Sequence, residues 1–530
     1  EELSSNSILK IQKNKKKEFE ISEELNLSSK NLDIVGIYDP SDNNLSIDMW
    51  INSNGLKILE IMNKIQGLDL SEDSSEILNI ALLTNSYFPK RDITKEQFIK
   101  IKTDWLLKQE NLNLIEIFLQ KNENLTTESK LIKYYLNYYL SRSNLSKACE
   151  IFDKVNASDN DEYVTKFKIY CLVNLNKIEE AQLQFDLLKE TNFKDDFFEK
   201  KFAYLMNYAE NDSSNISEKT LLNFHLSHRT NSNFTYEPKS NTSKLIWKYL
   251  SSSNLLENIN TIDLQDSEKI LLIEKATHEK NYEEKELFEL YKRFQFNINQ
   301  LLNVKDSYKL LKNHEGRALL YQRLILTEDE IQILDLSYKL KESFINDKIE
   351  NAFDRELKRV LAKVSKEQVP SNFSSFYSDN LITQPLKKNN TKINNKIIHQ
   401  SKLLKYFEEQ DDIEKVENDL NKLLKSIKKN KDYNVSIKDL ILLESLISDG
   451  VTISKKYKSM FNFDQSNIPT DIQLLLSNKE IGMVLLRMVE IIGEDDLENL
   501  DPDTLYFMTS ILNKLNLDSI RNQLLLKVLP

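Results

Sequence analysis

The sequence predicts an all-α protein in which antiparallel helix hairpins form a superhelical solenoid, followed by a C-terminal helical block. The chain has only seven Gly and eight Pro in 530 residues. Open α/β enzymes and β-rich folds need more glycine than this, at turns, bulges and phosphate loops. Hydrophobic residues make up 40% of the chain, which is enough to fill a core. A pattern of apolar residues also recurs with a period of 33 residues.

This repeat runs from Trp105 to Phe185 without insertion or deletion. The positions that coincide in the three copies are Leu112, Leu145 and Ile178; Ile115, Ala148 and Ala181; Leu119, Phe152 and Phe185; and Trp105, Tyr138 and Cys171. A period of this length, built from two helical segments, is typical of stacked helix hairpins. The predicted helix pairs are 95–108 with 112–120, 127–140 with 145–155, and 161–175 with 178–190.

The second helix of these pairs resembles the tetratricopeptide repeat family, in which a small residue is followed one turn later by an aromatic residue. Ala181 and Phe185 fit this pattern in the third repeat, and Ala148 and Phe152 fit it in the second. The first repeat departs from it with the bulkier Ile115, and the family's helix A glycine and terminal proline are missing. The resemblance covers residues 95–190 and implies a fold and a mode of protein binding, but no particular partner.

Four segments are expected along the chain. Residues 1–45 lack sustained helical periodicity and should be an extended or partly disordered leader. Residues 46–364 should form the solenoid. Residues 365–395, with Pro370 and Pro385, should form a linker or long loop, and residues 396–530 a C-terminal helical domain. Helices are predicted from 3,4-spaced apolar residues at 195–209, 218–226, 243–251, 267–278, 282–294, 315–324, 328–338, 340–362, 395–409, 413–429, 436–448, 471–493, 502–515 and 518–528.

Charge argues against nucleic-acid binding, and hydropathy argues against a transmembrane segment. The formal net charge is −11 with both signs interspersed, whereas general nucleic-acid binding needs a basic face. The basic run at residues 10–17 is the local exception, and we interpret it as a solvated terminal segment. No apolar run reaches the roughly 18–20 residues of a membrane span, so no transmembrane segment is expected.

No pattern in the sequence predicts catalysis, a cofactor or a metal site. The chain has no glycine-rich phosphate loop and no serine on a recognisable nucleophile turn. His225 and His228 share one helix face, but no further ligands accompany them, so they are expected to be surface residues. The acidic cluster at residues 493–498 lacks the spacing of a calcium loop and is expected to be solvated. We therefore expect a protein that is not an enzyme.

The two cysteines are Cys149, in the second helix of the second repeat, and Cys171, in the first helix of the third. These helices should be antiparallel neighbours, with both residues about three turns from the connecting loop. That placement suits a disulfide, which could stabilise the fold by ~3 kcal/mol. The alternative is two reduced cysteines packed as small core residues.

The whole chain also resembles a group of exported helical-repeat proteins from alphaproteobacteria that has no assigned activity. The segments that carry this resemblance are Asp48-Met49-Trp50, Glu315-Gly316-Arg317-Ala318-Leu319-Leu320-Tyr321, and Leu485-Leu486-Arg487-Met488 followed by Asp501-Pro502-Asp503-Thr504-Leu505-Tyr506. The resemblance implies a periplasmic location and favours the disulfide. A start at Glu1 agrees with removal of a signal peptide, or with truncation. A cytoplasmic location is the alternative.

The expected function is a non-enzymatic protein-protein interaction scaffold of the bacterial envelope. It would bind a protein or peptide segment on the concave face of the solenoid. Candidate partner-binding residues are Trp105 and the cluster Tyr134, Tyr135, Tyr138 and Tyr139, although packing between repeats would also explain the tyrosines. The alternatives are a helical superstructure of a cell-wall-processing enzyme or its regulator, and a cytoplasmic adaptor built from tetratricopeptide-like repeats.

Overall fold

Helix accounts for 67% of the structure and strand for 2%, which confirms the all-α prediction. The computed structural model describes residues 34–122, 129–155, 161–191, 193–210, 215–239, 241–365, 368–381, 393–409, 412–430, 432–458, 460–461 and 468–529. The predicted leader up to residue 33, with its basic run, lies outside this range. Residue contacts divide the chain into unit 1, residues 1–122 and 386–530, and unit 2, residues 123–385.

The first part of unit 1 contains a small sheet and four helices. Strand β1 (Ile34–Val35) pairs antiparallel with β2 (Ser86–Tyr87). The helices are α1 (Gly55–Gln66), α2 (Glu72–Leu83), α3 (Lys95–Gln109) and α4 (Leu112–Lys121). Each begins after a residue whose side chain accepts a hydrogen bond from a main-chain N–H of the first turn, namely Asn54, Ser71, Thr94 and Asn111. The first predicted repeat, α3 with α4, therefore belongs to unit 1.

Unit 2 contains the second and third repeats and the helices that follow them. The repeat helices are α5 (Ser129–Leu140), α6 (Leu145–Cys149), α7 (Ile151–Lys154), α8 (Glu162–Asn174) and α9 (Ile178–Glu190). Helix α5 contacts both α6 and α8, and α8 contacts α9. The remaining helices are α10 (Asp196–Leu205), α11 (Leu221–Arg229), α12 (Lys244–Ser252), α13 (Ser267–His278), α14 (Glu284–Lys292), α15 (Ile298–Leu302), α16 (Val304–Ser307), α17 (Asn313–Leu326), α18 (Glu330–Asn346), α19 (Arg355–Leu361) and α20 (Ser374–Leu381).

The second part of unit 1 is also helical. Its helices are α21 (Lys405–Glu409), α22 (Ile413–Ile427), α23 (Ile437–Ser448), α24 (Lys455–Lys458), α25 (Thr470–Ser477), α26 (Ile481–Ile492), α27 (Pro502–Leu515) and α28 (Asp518–Val528). Short 3₁₀ turns lie at Pro40–Asn43, Ile259–Thr261, Tyr308–Leu310, Glu350–Phe353, Ser371–Phe373, Ile398–Gln400, Lys402–Leu404 and Leu497–Asn499. The predicted helix at 395–409 was therefore wrong except for its last turn, α21. None of the helices in the described part of the chain combines the length and apolar character of a membrane span.

Two predicted helix boundaries were wrong for the same reason. Helix α18 continues through residue 340 and ends at Asn346, followed by Lys348 with φ +59°. The predicted helix at 471–493 is two helices, α25 and α26, with Lys479 at φ +57° between them. Left-handed residues terminate helices, and this role usually falls to Gly or Asn. The lysines gave the sequence no recognisable stop signal.

Part of the predicted linker at 365–395 is ordered in unit 2. Helix α20 lies within it, and the buried Tyr377 hydroxyl donates a hydrogen bond of 2.9 Å to the Val364 carbonyl. Aromatic side chains of this segment therefore add to the core of unit 2. Residues 382–392 of the predicted linker lie outside the described residues.

The core of unit 1 around Trp50 is formed by residues from both of its chain segments, before residue 122 and after residue 386. This side chain is fully buried, and its indole Nε1 donates to the Ala81 carbonyl at 3.2 Å. A Cβ atom on Gly482 in α26 would lie 2.5 Å from the indole ring, so only glycine allows this approach. Asp73 in α2 accepts a hydrogen bond from the Leu497 N–H at 2.9 Å and pairs with Lys527. Helix α26, together with Lys527 of α28, thus packs with α1 and α2, whereas the sequence suggested a separate domain.

The core of unit 2 surrounds a buried ion pair. Arg317 in α17 and Glu274 in α13 are both fully buried, and Arg317 Nη2 lies 2.5 Å from Glu274 Oε2. The Tyr291 hydroxyl donates to Glu274 Oε1 at 2.5 Å, and Arg317 Nη1 pairs with Asp347 at 2.6 Å. Apolar residues from α12 to α20 enclose this cluster.

Candidate functional site

Two of the predicted partner-binding residues are buried. Trp105 is 1% exposed, and its indole Nε1 donates to Asn79 Oδ1 at 2.8 Å. Tyr135 is 0% exposed. These side chains fill the protein interior and offer no surface to a partner, which corrects the expectation from the sequence. Apolar faces of helix hairpins are buried where hairpins pack together, and both residues lie on such faces.

The other three tyrosines of the cluster are half-buried on α5. The rings of Tyr138 and Tyr139 pack edge to face with centroids 5.3 Å apart. The guanidinium of Arg142 lies 3.4 Å from the centroid of the Tyr138 ring, a cation–π contact. Tyr134 lies 6.5 Å from Tyr138. A role for these three in partner binding stays a prediction.

The cysteines lie on neighbouring helices of the repeats. Cys149 at the end of α6 and Cys171 in α8 have Cα atoms 5.6 Å apart, and their sulfur atoms are bonded. Both side chains are buried. The bond joins the second repeat to the third within unit 2.

His225 is buried and His228 half-buried, whereas the sequence-based expectation placed both on the surface. His225 is 5% exposed, and its Nε2 and Nδ1 lie 2.9 Å and 2.8 Å from the hydroxyls of Tyr170 and Tyr249. His228 Nδ1 lies 2.7 Å from the same Tyr249 hydroxyl. Desolvation, with smaller contributions from Arg229 and His228, lowers the pKa of His225 to about 3. The ring therefore stays neutral at physiological pH.

Other candidate ligand sites have structural roles or are absent. No group of three or more His, Cys, Asp or Glu side chains within the described ranges could hold a metal ion. In the acidic cluster at 493–498, the Gly493 carbonyl accepts from the Ser71 N–H at 3.2 Å. The Glu494 carboxylate accepts from the Asp69 N–H at 3.0 Å. These bonds tie the cluster to the loop before α2.

The structure reveals a cleft of about 480 Å³ in unit 2 that the sequence did not indicate. It lies between α12, α13 and the segment that connects α11 to α12. The lining residues are Phe234, Thr235, Tyr236, Glu237, Pro238, Trp247, Leu255, Leu256, Glu257, Ile262, Lys269, Leu272, Ile273 and Tyr282. A concave, mainly aromatic and aliphatic surface with a few polar groups is typical of binding sites.

One wall of the cleft is an extended segment, residues 234–238. The rings of Phe234 and Tyr236 both pack edge to face on Phe224 in α11, at 5.5 Å and 4.9 Å. Residues i and i+2 thus point to the same side, as in a β-strand. Burial follows the same period, because Phe234, Tyr236 and Pro238 are half-buried while Thr235 and Glu237 are exposed. This alternation of aromatic and polar residues is visible in the sequence and indicates an extended segment, but a prediction based on helical periodicity does not detect it.

The main chain of this segment takes no part in the hydrogen bonds between described residues. Among the described residues, none forms a hydrogen bond with the main-chain groups of residues 234–237. The segment is flanked by a bond from the Asn233 N–H to Asn231 Oδ1 at 3.0 Å. On its other side is a turn in which the Lys239 N–H donates to Thr242 Oγ1 at 2.9 Å and the Thr242 N–H donates to the Lys239 carbonyl at 3.0 Å. One side of the cleft is thus lined by a segment with strand-like alternation whose main chain has no bond from the described residues.

The charged groups of the cleft leave an excess of negative charge. Lys269 Nζ lies 2.8 Å from Glu237 Oε1 and also contacts Glu257. Burial lowers the pKa of Lys269, but its bonds to the two carboxylates outweigh this and raise it. The hydrogen bond from Lys269 is also the main cause that lowers the pKa of Glu257. The ammonium of Lys269 is thus paired with two carboxylates, those of Glu237 and Glu257.

The two tyrosines of the cleft keep their protons. Desolvation raises the pKa of Tyr282 to about 12 and also raises that of Tyr236. Their hydroxyls therefore act as neutral hydrogen-bonding groups.

No model of a protein family, no curated protein and no solved structure matches this chain, so the functional argument rests on the geometry of the cleft.

Proposed function

We propose that this protein is a non-enzymatic scaffold that binds an extended segment of a protein or peptide in the cleft of unit 2. One observation carries the proposal, namely an aromatic-lined cleft bordered by a strand edge whose main-chain groups have no partner in the described structure. Extended peptides bind such edges by adding a strand, and side-chain pockets beside the edge provide specificity.

The chemistry of the lining residues favours binding over catalysis. Lys269 is held as an ammonium by Glu237 and Glu257, and is therefore a poor nucleophile. Tyr236 and Tyr282 remain protonated at neutral pH. The lining includes neither a nucleophile paired with a general base nor a cluster of metal ligands.

The proposal extends to the architecture and the compartment. Contacts of α5 with α8, and of α8 with α9, support a stack of hairpins of the tetratricopeptide kind in unit 2. Disulfides persist in oxidising compartments such as the bacterial periplasm. The pairing of Cys149 with Cys171 therefore supports the envelope as the location, with the cytoplasm as the alternative.

Site-specific photocrosslinking tests the binding site. A photoreactive phenylalanine analogue replaces Thr235 in one variant and Tyr338, which is 45% exposed on α18, in a matched control. In native cell extracts, the cleft variant should crosslink to a discrete protein or peptide, whereas the control should not. Crosslinks of equal yield and pattern at both positions, or none at either, would exclude the cleft as the partner site.

The compartment is tested through the cysteines. Protein from its native cells is alkylated before and after reduction, and the mass is compared. An envelope location predicts that Cys149 and Cys171 are protected until a reductant is added. Complete alkylation of both thiols before reduction would favour the cytoplasmic alternative.

A further inference from the structure

The geometry points to the kind of peptide that this cleft takes. We infer that its ligand is an extended segment in which apolar residues alternate with polar ones and one polar position is Lys or Arg. This inference rests on the proposed function, because it names the ligand class of the same cleft. Three features carry it, namely the strand edge, the two faces of that edge, and the charge on one of them.

The strand edge sets the backbone conformation of the ligand. Residues 234–237 present N–H and C=O groups with no bonds from the described residues, in a segment with the two-residue period of a strand. A ligand that satisfies these groups must itself be extended, since strands exchange main-chain hydrogen bonds at a spacing of about 4.8 Å. A helical ligand has already used its main-chain groups internally and could not satisfy them.

The two faces of the edge set the side-chain pattern. Phe234 and Tyr236 point to one side, where they pack on Phe224. Thr235 and Glu237 lie on the opposite, exposed side. A paired strand places successive side chains on the same two sides. Ligand residues beside Phe234 and Tyr236 should therefore be apolar, and those beside Thr235 and Glu237 polar.

The charge distribution selects a cation on the polar side. Glu237 is 75% exposed and Glu257 40% exposed, and they share the single ammonium of Lys269, which is 24% exposed. Among nearby groups, Glu218 adds negative potential at Tyr236, and Arg293 adds positive potential at Glu257. The exposed Lys239 follows Glu237 by two residues, whereas the charged residues that line the cleft itself, Glu237, Glu257 and Lys269, carry a net charge of −1. An acidic ligand residue beside Glu237 would be repelled.

The test uses three synthetic heptapeptides and the full-length protein. The first is acetyl-Val-Thr-Val-Lys-Val-Thr-Val-amide, and the others carry norleucine or Glu in place of Lys. Isothermal titration calorimetry should give the order Lys, norleucine, Glu, with about a tenfold difference between the first and last. The variant Glu237→Gln/Glu257→Gln should abolish this order. The control Glu283→Gln, which removes an exposed partner of Lys248 in the same unit, should preserve it.

Hydrogen exchange separates the parts of the inference. Binding of the Lys peptide should slow exchange of the amides at residues 234–237. Binding without this protection would overturn the strand pairing. Equal affinities for the three peptides, with protection, would overturn the choice of a cation and leave the proposed function standing. If none of the three peptides binds, the inference fails, while the photocrosslinks at Thr235 decide the proposed function independently.

Discussion

Lys102 in unit 1 and Arg317 in unit 2 are both basic residues with 0% exposure, but their surroundings shift the pKa of the two side chains in opposite directions. Lys102 Nζ donates to the Val35 carbonyl at 2.6 Å, and desolvation lowers its pKa to about 7. Burial also opposes the charge of Arg317, but Tyr291 and Glu274 outweigh it and raise the pKa above its usual value. A carbonyl thus satisfies a buried amine without holding its proton, whereas a buried carboxylate holds the cation charged.

The two units also differ in what they do with extended main chain. In unit 1, the carbonyls of residues 35–37 accept hydrogen bonds from Lys102, Asn122 and Lys121 at 2.6, 2.9 and 2.6 Å. These donors lie on or next to helices of the first repeat. The extended segment of unit 2 has no such bonds among the described residues. The chain thus binds the main chain of one extended segment with its own side chains, and the other is the segment at which we propose that a ligand binds.

The largest effect should come from Arg317→Met. This change leaves Glu274 buried without its counter-charge, which typically costs about 3–5 kcal/mol. Hydrogen exchange of peptides from α13 and α17 would report the lost stability within unit 2. The double variant Arg317→Met/Glu274→Leu removes both charges and should recover most of the loss. A double variant as unstable as the single one would show that the pairing is not what matters at this position.

Lys102→Met should change the pH dependence of unit 1. Because the pKa of Lys102 is about 7 in the folded protein and 10.5 in the unfolded chain, the stability it contributes is full above pH 10.5 and is lost as the pH falls towards 7. Between pH 9 and pH 7 the wild-type protein should lose about 2–3 kcal/mol more than Lys102→Met. Urea unfolding at both pH values measures this difference. Parallel pH profiles for the two proteins would mean that the buried amine stays protonated.

His225→Gln extends the comparison to a buried base whose partners are hydroxyls. The folded pKa of His225 is about 3 and its unfolded pKa is 6.5, so stability is full above pH 6.5 and declines as the pH falls. From pH 6.5 to pH 5 the wild-type protein should lose about 2 kcal/mol more than His225→Gln. Thermal unfolding at the two pH values tests this. The half-buried His228 provides a matched control, since His228→Gln should remove a smaller part of the slope.

The smallest effect should follow Arg317→Lys. The charge beside Glu274 remains, but the two parallel hydrogen bonds from Nε and Nη2 are lost. A loss of about 1–2 kcal/mol is expected, below that of Arg317→Met. Urea unfolding of the two variants side by side gives the ranking. If Arg317→Lys lowers the free energy of unfolding as much as Arg317→Met does, the two parallel hydrogen bonds to Glu274 would contribute more to stability than the positive charge.

Local periodicity predicted the helices well, because each depends on residues three and four positions apart. Helix α9 at Ile178–Glu190 and helix α27 at Pro502–Leu515 coincide with their predicted ranges. The association of α26 with α1 and α2 could not be found in this way. It depends on the approach of Trp50 to Gly482, two residues separated by most of the chain, and no period links them.

The candidate site was less predictable than the fold. Trp105 and Tyr135 drew attention as aromatic repeat residues, but the same apolar spacing that marks a repeat also marks its buried face. The cleft depends on α12, α13 and an extended segment that meet only in three dimensions. Its one local signal was the alternation from Phe234 to Glu237, which a search for helices treats as a loop. His225 was misplaced because α11 is buried on several sides, so its apolar stripe is not distinct.

The contact of Trp50 with Gly482 has a consequence for biosynthesis. A ribosome releases residues 34–122 long before α26, so the face of the Trp50 indole that packs on Gly482 stays uncovered while most of the chain is being translated. Residues 123–385 are contiguous and can complete their own core during that time. Helices α1 and α2 therefore expose the apolar surface that α26 later covers until the C-terminal segment of unit 1 has been translated.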